Sequence, residues 1–321
     1  VTGTLYVLLA CVLWALDTLI RYPLLAAGLS SLQLVFLEHG LLLLMMLAVS
    51  RVVGASLWPF KRGDWPALLV IGGLGSALGT VAFTQAFSLM NPTLVILLQK
   101  LQPVVAVSLS AWVLGERISR GFLGYLVVCL AGSLLLMWED LLPFVGGQDW
   151  FYQSGLQTRL LGYGLTFLAV ISWGASTVFG KQLSQRGYGT SALMNGRFAV
   201  GLLCLLPWVL ALQPDALQVT SVQLGWIALM VSISGLLGMA FYYHGLKRIA
   251  SRHSALAEMC FPVAAGLVNW VFLGFALTPL QCLGAALLVG ASLLVHWPLR
   301  WPLFRPAQHR SNLDASVSVD Q

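Results

Sequence analysis

The sequence predicts an all-α membrane protein of ten transmembrane helices, arranged as two five-helix halves. Three observations predict it. Charged residues make up only 9% of the 321-residue chain, its hydrophobic residues reach 59% and fall in long runs, and those runs match each other in register between the two halves. A soluble domain carries about 25% charged residues, and an outer-membrane barrel alternates apolar with polar positions. A mean hydropathy of +0.87 in unbroken runs excludes both, and a disordered chain as well.

A spanning helix needs about 20 mostly apolar residues. Such runs occupy residues 4–27, 32–53, 65–87, 92–114, 120–138, 159–183, 191–212, 222–246, 254–274 and 279–297. Trp58-Pro59, Asn91-Pro92, Pro143 to Gly147, Gln213-Pro214 and Thr278-Pro279 break the chain between runs. The first run lacks a basic flank and continues past Asp17, so it reads as a first spanning helix rather than a cleaved signal peptide. The organisation is then 1–138 as the first half, 139–158 as a connecting loop, 159–297 as the second half and 298–321 as a polar tail.

The net charge of +6 has its basic residues in short loops between apolar runs. That placement encodes topology rather than a phosphate-binding face, so the expected partner is the lipid bilayer and not nucleic acid. With the N-terminus in the cytoplasm, cytoplasmic segments hold Arg51, Lys61, Arg62, Arg117, Arg120, Lys181, Arg186, Lys247, Arg248, Arg252, Arg300, Arg305 and Arg310, whereas outer segments hold Arg21 and Arg159. The bias predicts both termini in the cytoplasm, and the membrane expected is a bacterial inner (plasma) membrane. Cys11, Cys129, Cys204, Cys260 and Cys282 lie in apolar runs without a Cys-x-x-Cys pair, which predicts neither a disulfide framework nor a metal site.

The two halves align without a gap at an offset of 159 positions. It pairs Pro103 with Pro262, Trp14 with Trp173, Gly28 with Gly187 and Gly79 with Gly238. Five spans per half is an odd number, so the second half enters from the opposite face and the repeats are inverted. Inverted repeats place a binding site near the midplane, at the interface between them.

The segment Leu101-Gln102-Pro103-Val104-Val105-Ala106, followed by Leu114-Gly115-Glu116-Arg117 and a span through Gly124 and Gly132, resembles the EamA repeat of the drug/metabolite transporter superfamily. The second half repeats it as Phe261-Pro262-Val263-Ala264 and Leu273-Gly274, with Phe275-Ala276 replacing the Glu-Arg pair. The resemblance reaches to about Trp297. It implies a cavity lined mainly by the third, fourth, eighth and ninth helices, and export or exchange of small metabolites such as amino acids.

An ionisable residue inside a span costs about 2.5–3.5 kcal/mol on insertion scales, so each one needs a partner or a role. Asp17, Glu38, Lys100, Arg197 and Glu258 are such residues. The offset relates Glu38 to Arg197 and Gln99 to Glu258. Two clusters follow, Asp17/Glu38/Lys100 toward the outside and Arg197/Glu258 toward the inside, as gates, as a proton-coupling group or as a hold on a substrate carboxylate. Static ion pairs that fix packing are the alternative. Gln85, Gln99, Gln102, Tyr242, Tyr243, His244 and Asn269 are candidates for hydrogen bonding to a ligand, or interhelical glue. His39 is either a proton carrier or structural. Trp14 and Trp173 are candidate aromatic walls. Pro103 and Pro262 each remove a helical hydrogen bond in mid-span and are candidate hinges.

The function expected is secondary-active transport of small organic metabolites by alternating access, with no cofactor. A membrane-embedded enzyme requires a catalytic constellation, and the chain has no Gly-x-Ser-x-Gly and no His-Glu-x-x-His. A scaffold or lipid-handling protein requires no polar path between the halves.

Overall fold

The computed structural model describes residues 2–54, 56, 58–113, 120–145, 155–213, 215–246 and 260–296. Among these residues the chain is helical throughout. Eight helices are long and apolar enough to cross a membrane: α1 (Gly3–Ala26), α2 (Ser31–Val52), α3 (Arg62–Leu89), α4 (Pro92–Val113), α5 (Gly124–Leu142), α6 (Leu156–Gln185), α7 (Ser191–Leu212) and α8 (Ser221–Tyr242). Two shorter apolar helices follow, α9 (Cys260–Leu273) and α10 (Pro279–Ala291). The sequence places the ninth run at 254–274; residues 247–259, with Glu258 among them, lie outside the described residues, as does the Glu116-Arg117 pair.

Local chemistry sets the helix starts. Ser30 caps α2 by accepting from the Gln33 N–H at 3.0 Å, and Asn91 caps α4 by accepting from the Thr93 N–H at 2.9 Å. Pro92 then occupies the first turn, where its missing N–H costs nothing. Thr220 and Gln223 form a reciprocal capping box at α8.

Four interruptions shape the interior. The helical run of α1 breaks at Asp17, whose N–H bonds the Trp14 carbonyl at 3.2 Å. In α4 the backbone tightens to 3₁₀ over Gln99–Leu101, just where Pro103 has no N–H to offer the Gln99 carbonyl. Helix α3 widens to π geometry over Leu69–Leu78 and α8 over Val231–Leu237. The two π segments end at Gly79 and Gly238, which are equivalent in the 159-residue register. Inserted π turns often mark functional sites.

Packing crosses between the halves. Helix α6 lies along α3 and α4, and α1 lies along α8 and α9. The Gly79 position is filled by Trp173: a Cβ there would sit 3.1 Å from the indole Nε1. Likewise a Cβ on Gly238 would sit 2.8 Å from Nε1 of Trp14. Gly132 and Gly284 bring α5 and α10 together, each facing the other's carbonyl. A buried apolar cluster from Phe87 and Leu94 to Leu98 with Tyr163 ties α3, α4 and α6.

Candidate functional site

Asp17 and Arg21 stand one helical turn apart on the same face of α1. Arg21 is 5% exposed, inside α1 rather than in the outer segment to which the charge bias assigns it. The helix runs past it to Ala26, and three polar partners offset its burial. Arg21 Nε donates to Asp17 Oδ2 at 2.6 Å and Nη2 to Asp17 Oδ1 at 3.2 Å. Toward α2, Nη1 and Nη2 donate to Glu38 Oε2 and Oε1 at 3.0 and 3.2 Å. Nη1 also donates to Thr84 Oγ1 of α3 at 3.1 Å. All five guanidinium N–H groups are thereby used. From α8, Ser234 Oγ lies 2.7 Å from Asp17 Oδ1 and 2.8 Å from the Met230 carbonyl of its own helix, and its single proton goes to the carboxylate, the charged acceptor. One ionic network therefore joins α1, α2, α3 and α8.

The cation seated between Asp17 and Glu38 is Arg21, where the sequence points to Lys100. Lys100 stands on the 3₁₀ turn of α4 with its Nζ 5.5 Å from the centre of the Phe261 ring, within cation–π range. Arg197 lies half-buried on α7. Its expected partner Glu258, and the side chain of Tyr243, lie outside the described residues.

Aromatic rings line the contacts between the halves. Trp14 packs against Tyr242 at 5.3 Å between centroids and meets Phe261 edge-on at 6.3 Å. Trp173 packs against Phe83 at 4.8 Å. Phe83 and Tyr242 are themselves 159 positions apart, so the two Trp pairs are the same arrangement made twice. The Trp14 indole N–H donates to the Ser234 carbonyl at 3.1 Å.

The other polar candidates divide. Gln99 Oε1 is buried without a hydrogen-bond partner, beside Lys100, which suits it to a ligand donor. Gln102 donates to Thr177 Oγ1 at 3.2 Å, linking α4 to α6. Gln85 accepts from Ser31 at 2.8 Å, and fully buried Asn269 donates to Thr93 Oγ1 at 3.1 Å; both join helices. His39 is buried, with Nδ1 2.8 Å from the Val35 carbonyl and Nε2 2.8 Å from Ser76 Oγ. A carbonyl only accepts, so Nδ1 carries a proton, and the imidazole ties α2 to α3 through Ser76. His244 meets Tyr6 edge-on at 4.6 Å. Pro262 is buried in α9, and Pro103 follows the 3₁₀ turn of α4. All five cysteines are free thiols.

Sequence reasoning missed Arg21, Thr84, Ser234, Phe83 and Phe261. Two signals were available: Arg21 falls four residues after Asp17, on the same helix face, and Phe83 is the register partner of Tyr242.

Comparison with known proteins converges on the same class. A riboflavin transporter, ImpX, of Fusobacterium nucleatum subsp. nucleatum is 28% identical over 90% of this chain and 95% of its own length. A probable amino-acid metabolite efflux pump of Salmonella typhimurium is 24% identical over 71% of this chain and 76% of its own. A crystal structure with 21% identity superposes at a TM-score of 0.60, over 91% of this chain and 96% of that one, which shows a shared fold. The model of the EamA-like transporter family matches residues 1–138 and 160–297. The chain is an integral membrane protein and a transporter rather than an enzyme, and it belongs to the EamA-like transporter family.

Proposed function

We propose that the protein is a secondary-active exporter or exchanger of small organic metabolites, working by alternating access between two inverted five-helix repeats. The observation that carries this reading is the doubled contact Trp14/Tyr242 on Gly238 and Trp173/Phe83 on Gly79. A pair of equivalent contacts between halves is what rocking from one face to the other requires. The N- and C-termini are cytoplasmic in this reading, on the strength of the charge bias. The Asp17–Arg21–Glu38 network is then the gate toward the outside, and Arg197 with Glu258 the gate toward the inside. A carboxylate of these clusters carries a coupling proton, and the 3₁₀ turn before Pro103 is a hinge in α4.

The substrate in this reading has a flat ring and an anionic or polar group. The Trp walls suit the ring, while Lys100 and the unpartnered Gln99 Oε1 suit the polar end. The name of the Fusobacterium relative puts riboflavin first on a test panel, and that of the Salmonella relative adds amino acids. Purified protein in proteoliposomes is loaded with one unlabelled compound of the panel and given the labelled compound outside. Counterflow of one of them, changed by an imposed pH gradient, is the expected result. No counterflow of any panel compound in either direction overturns the reading.

A further inference from the structure

The ionic network and the aromatic wall are connected by a single residue. Ser234 gives its backbone carbonyl to the Trp14 indole at 3.1 Å and its hydroxyl to Asp17 at 2.7 Å. Asp17 in turn holds Arg21, which holds Glu38 and Thr84. A hydrogen-bonded path thus runs from a ring proposed to touch substrate to the network proposed to close one face, and it passes from α8 to α1, α2 and α3.

The duplicated scaffold does not need this path in order to pack. In the 159-residue register Asp17, Arg21 and Ser234 correspond to Ser176, Gly180 and Gly75. At the equivalent contact a Cβ on Gly75 would already lie 2.4 Å from Ser176 Cβ, so no hydroxyl fits. Trp173 still seats on Gly79 and Phe83, as Trp14 does on Gly238 and Tyr242. The fold achieves the Trp–Gly contact with or without the serine. The serine and the acid it holds are an addition to one half.

We propose that Ser234 is a positioning residue that couples the Trp14 wall to the Asp17–Arg21–Glu38 network, so that occupancy at the wall is transmitted to the gate. The inference rests on the transport reading above. A substrate that moves the indole pulls on the residue 234 carbonyl, and the same residue's hydroxyl shifts the carboxylate that orients Arg21. Replacement of Ser234 by Ala keeps the residue 234 carbonyl and removes the hydroxyl, with its link to Asp17 and its contact to the Met230 carbonyl at 2.8 Å.

Two measurements test it. The first is counterflow of labelled riboflavin, with labelled tyrosine as the second probe. Ser234→Ala is expected to slow exchange at least about tenfold while KM stays within about twofold, a loss in a step after binding. Ser234→Thr, which restores the hydroxyl, is expected to recover most of the rate. Exchange by Ser234→Ala at the wild-type rate, or a rise in KM alone, overturns the proposal. Wild-type protein that moves no compound of the panel refutes the transport reading instead, and the second measurement then decides the coupling on its own. It is a thermal-unfolding cycle of Trp14→Phe and Asp17→Asn in detergent. The two effects on Tm are expected to be non-additive with Ser234 present and additive in the Ser234→Ala background. Additivity in both backgrounds overturns the coupling.

Discussion

Arg21 and Glu38 meet as two parallel forks, Nη1 to Oε2 at 3.0 Å and Nη2 to Oε1 at 3.2 Å, although they stand on different helices. This geometry is available to a guanidinium and not to an ammonium, which offers a point charge on a flexible stem. Arg21→Lys is therefore expected to keep a charge near Asp17 but to lose the grip on Glu38 and Thr84. Arg21→Ala leaves two half-buried carboxylates with no cation from Arg21, at a cost below the roughly 3–5 kcal/mol of breaking a fully buried pair. The triple replacement Asp17→Asn, Arg21→Met, Glu38→Gln is expected to restore most of that stability while abolishing transport. Thermal unfolding in detergent ranks the four proteins. Equal Tm values for wild type and Arg21→Ala would remove the network from any structural account.

The crossed packing makes a second set of expectations about glycine. A Cβ at Gly75 meets Ser176 Cβ at 2.4 Å, one at Gly238 meets Trp14 Nε1 at 2.8 Å, and one at Gly79 meets Ser172 Cβ at 3.0 Å. Overpacking costs about 1–3 kcal/mol, so Gly75→Ala and Gly238→Ala are expected to unfold at lower temperature than wild type, and Gly79→Ala by less. Gly124→Ala is the control, because nothing lies within 4 Å of its Cβ. Alanine at that helical position should be neutral or stabilising by about 0.5–1 kcal/mol. The same order is expected in melting curves. A Gly75→Ala protein as stable as Gly124→Ala would show that α3 and α6 are not in the close contact described.

These contacts mark how far the sequence could be read. Helix positions follow from apolar runs of a length set by the bilayer, and the proposed offset between halves rests on Trp and Pro, residues rare enough to register above a leucine background. The carboxylates of the network were visible as isolated charges within those runs. Their cation was not, because a basic residue near a span end satisfies the positive-inside bookkeeping equally well in a loop or in a helix. The four-residue spacing from Asp17 was a hint, and the continuation of α1 to Ala26 decides for Arg21. Ser234 was invisible for a different reason: hydroxyls are common in spans, and its role depends on the π turn that brings its carbonyl to Trp14.

In the proposed reading, Lys100 is the residue that separates binding from gating. Its Nζ stands over the Phe261 ring, which touches Trp14 edge-on, so loss of the charge acts at the aromatic wall. A hydrogen bond to a charged group contributes about 1.5–3 kcal/mol, and Lys100→Gln is expected to raise KM for an anionic substrate about ten- to hundredfold. Lys100→Arg keeps the charge and the ring contact and should lose less. Initial counterflow rates against substrate concentration report both. An unchanged KM in Lys100→Gln would exclude Lys100 from the substrate's path.

At the start of α3 a second acid gathers partners from the far end of α6. Asp64 accepts from Arg186 Nη1 at 2.6 Å, from the Lys61 N–H at 2.9 Å and from the Tyr188 hydroxyl. The opposite end of α6 is held alike, with Arg159 Nε and Tyr163 Oη at 2.6 and 2.8 Å from Asp140. Donation to Asp64 raises the Tyr188 phenol above the ordinary tyrosine value. A raised folded-state value means that the bond stabilises the protein fully below about pH 10, where the unfolded phenol is still protonated. The contribution is lost as pH climbs through the raised value, because a phenolate cannot donate and faces the carboxylate as a like charge. Tyr188→Phe is therefore expected to melt earlier than wild type at neutral pH and to show a smaller further decline on the alkaline side. Tm followed from about pH 7 to about pH 11 checks this. An identical alkaline decline in the Phe variant would show that Tyr188 is not the group responsible.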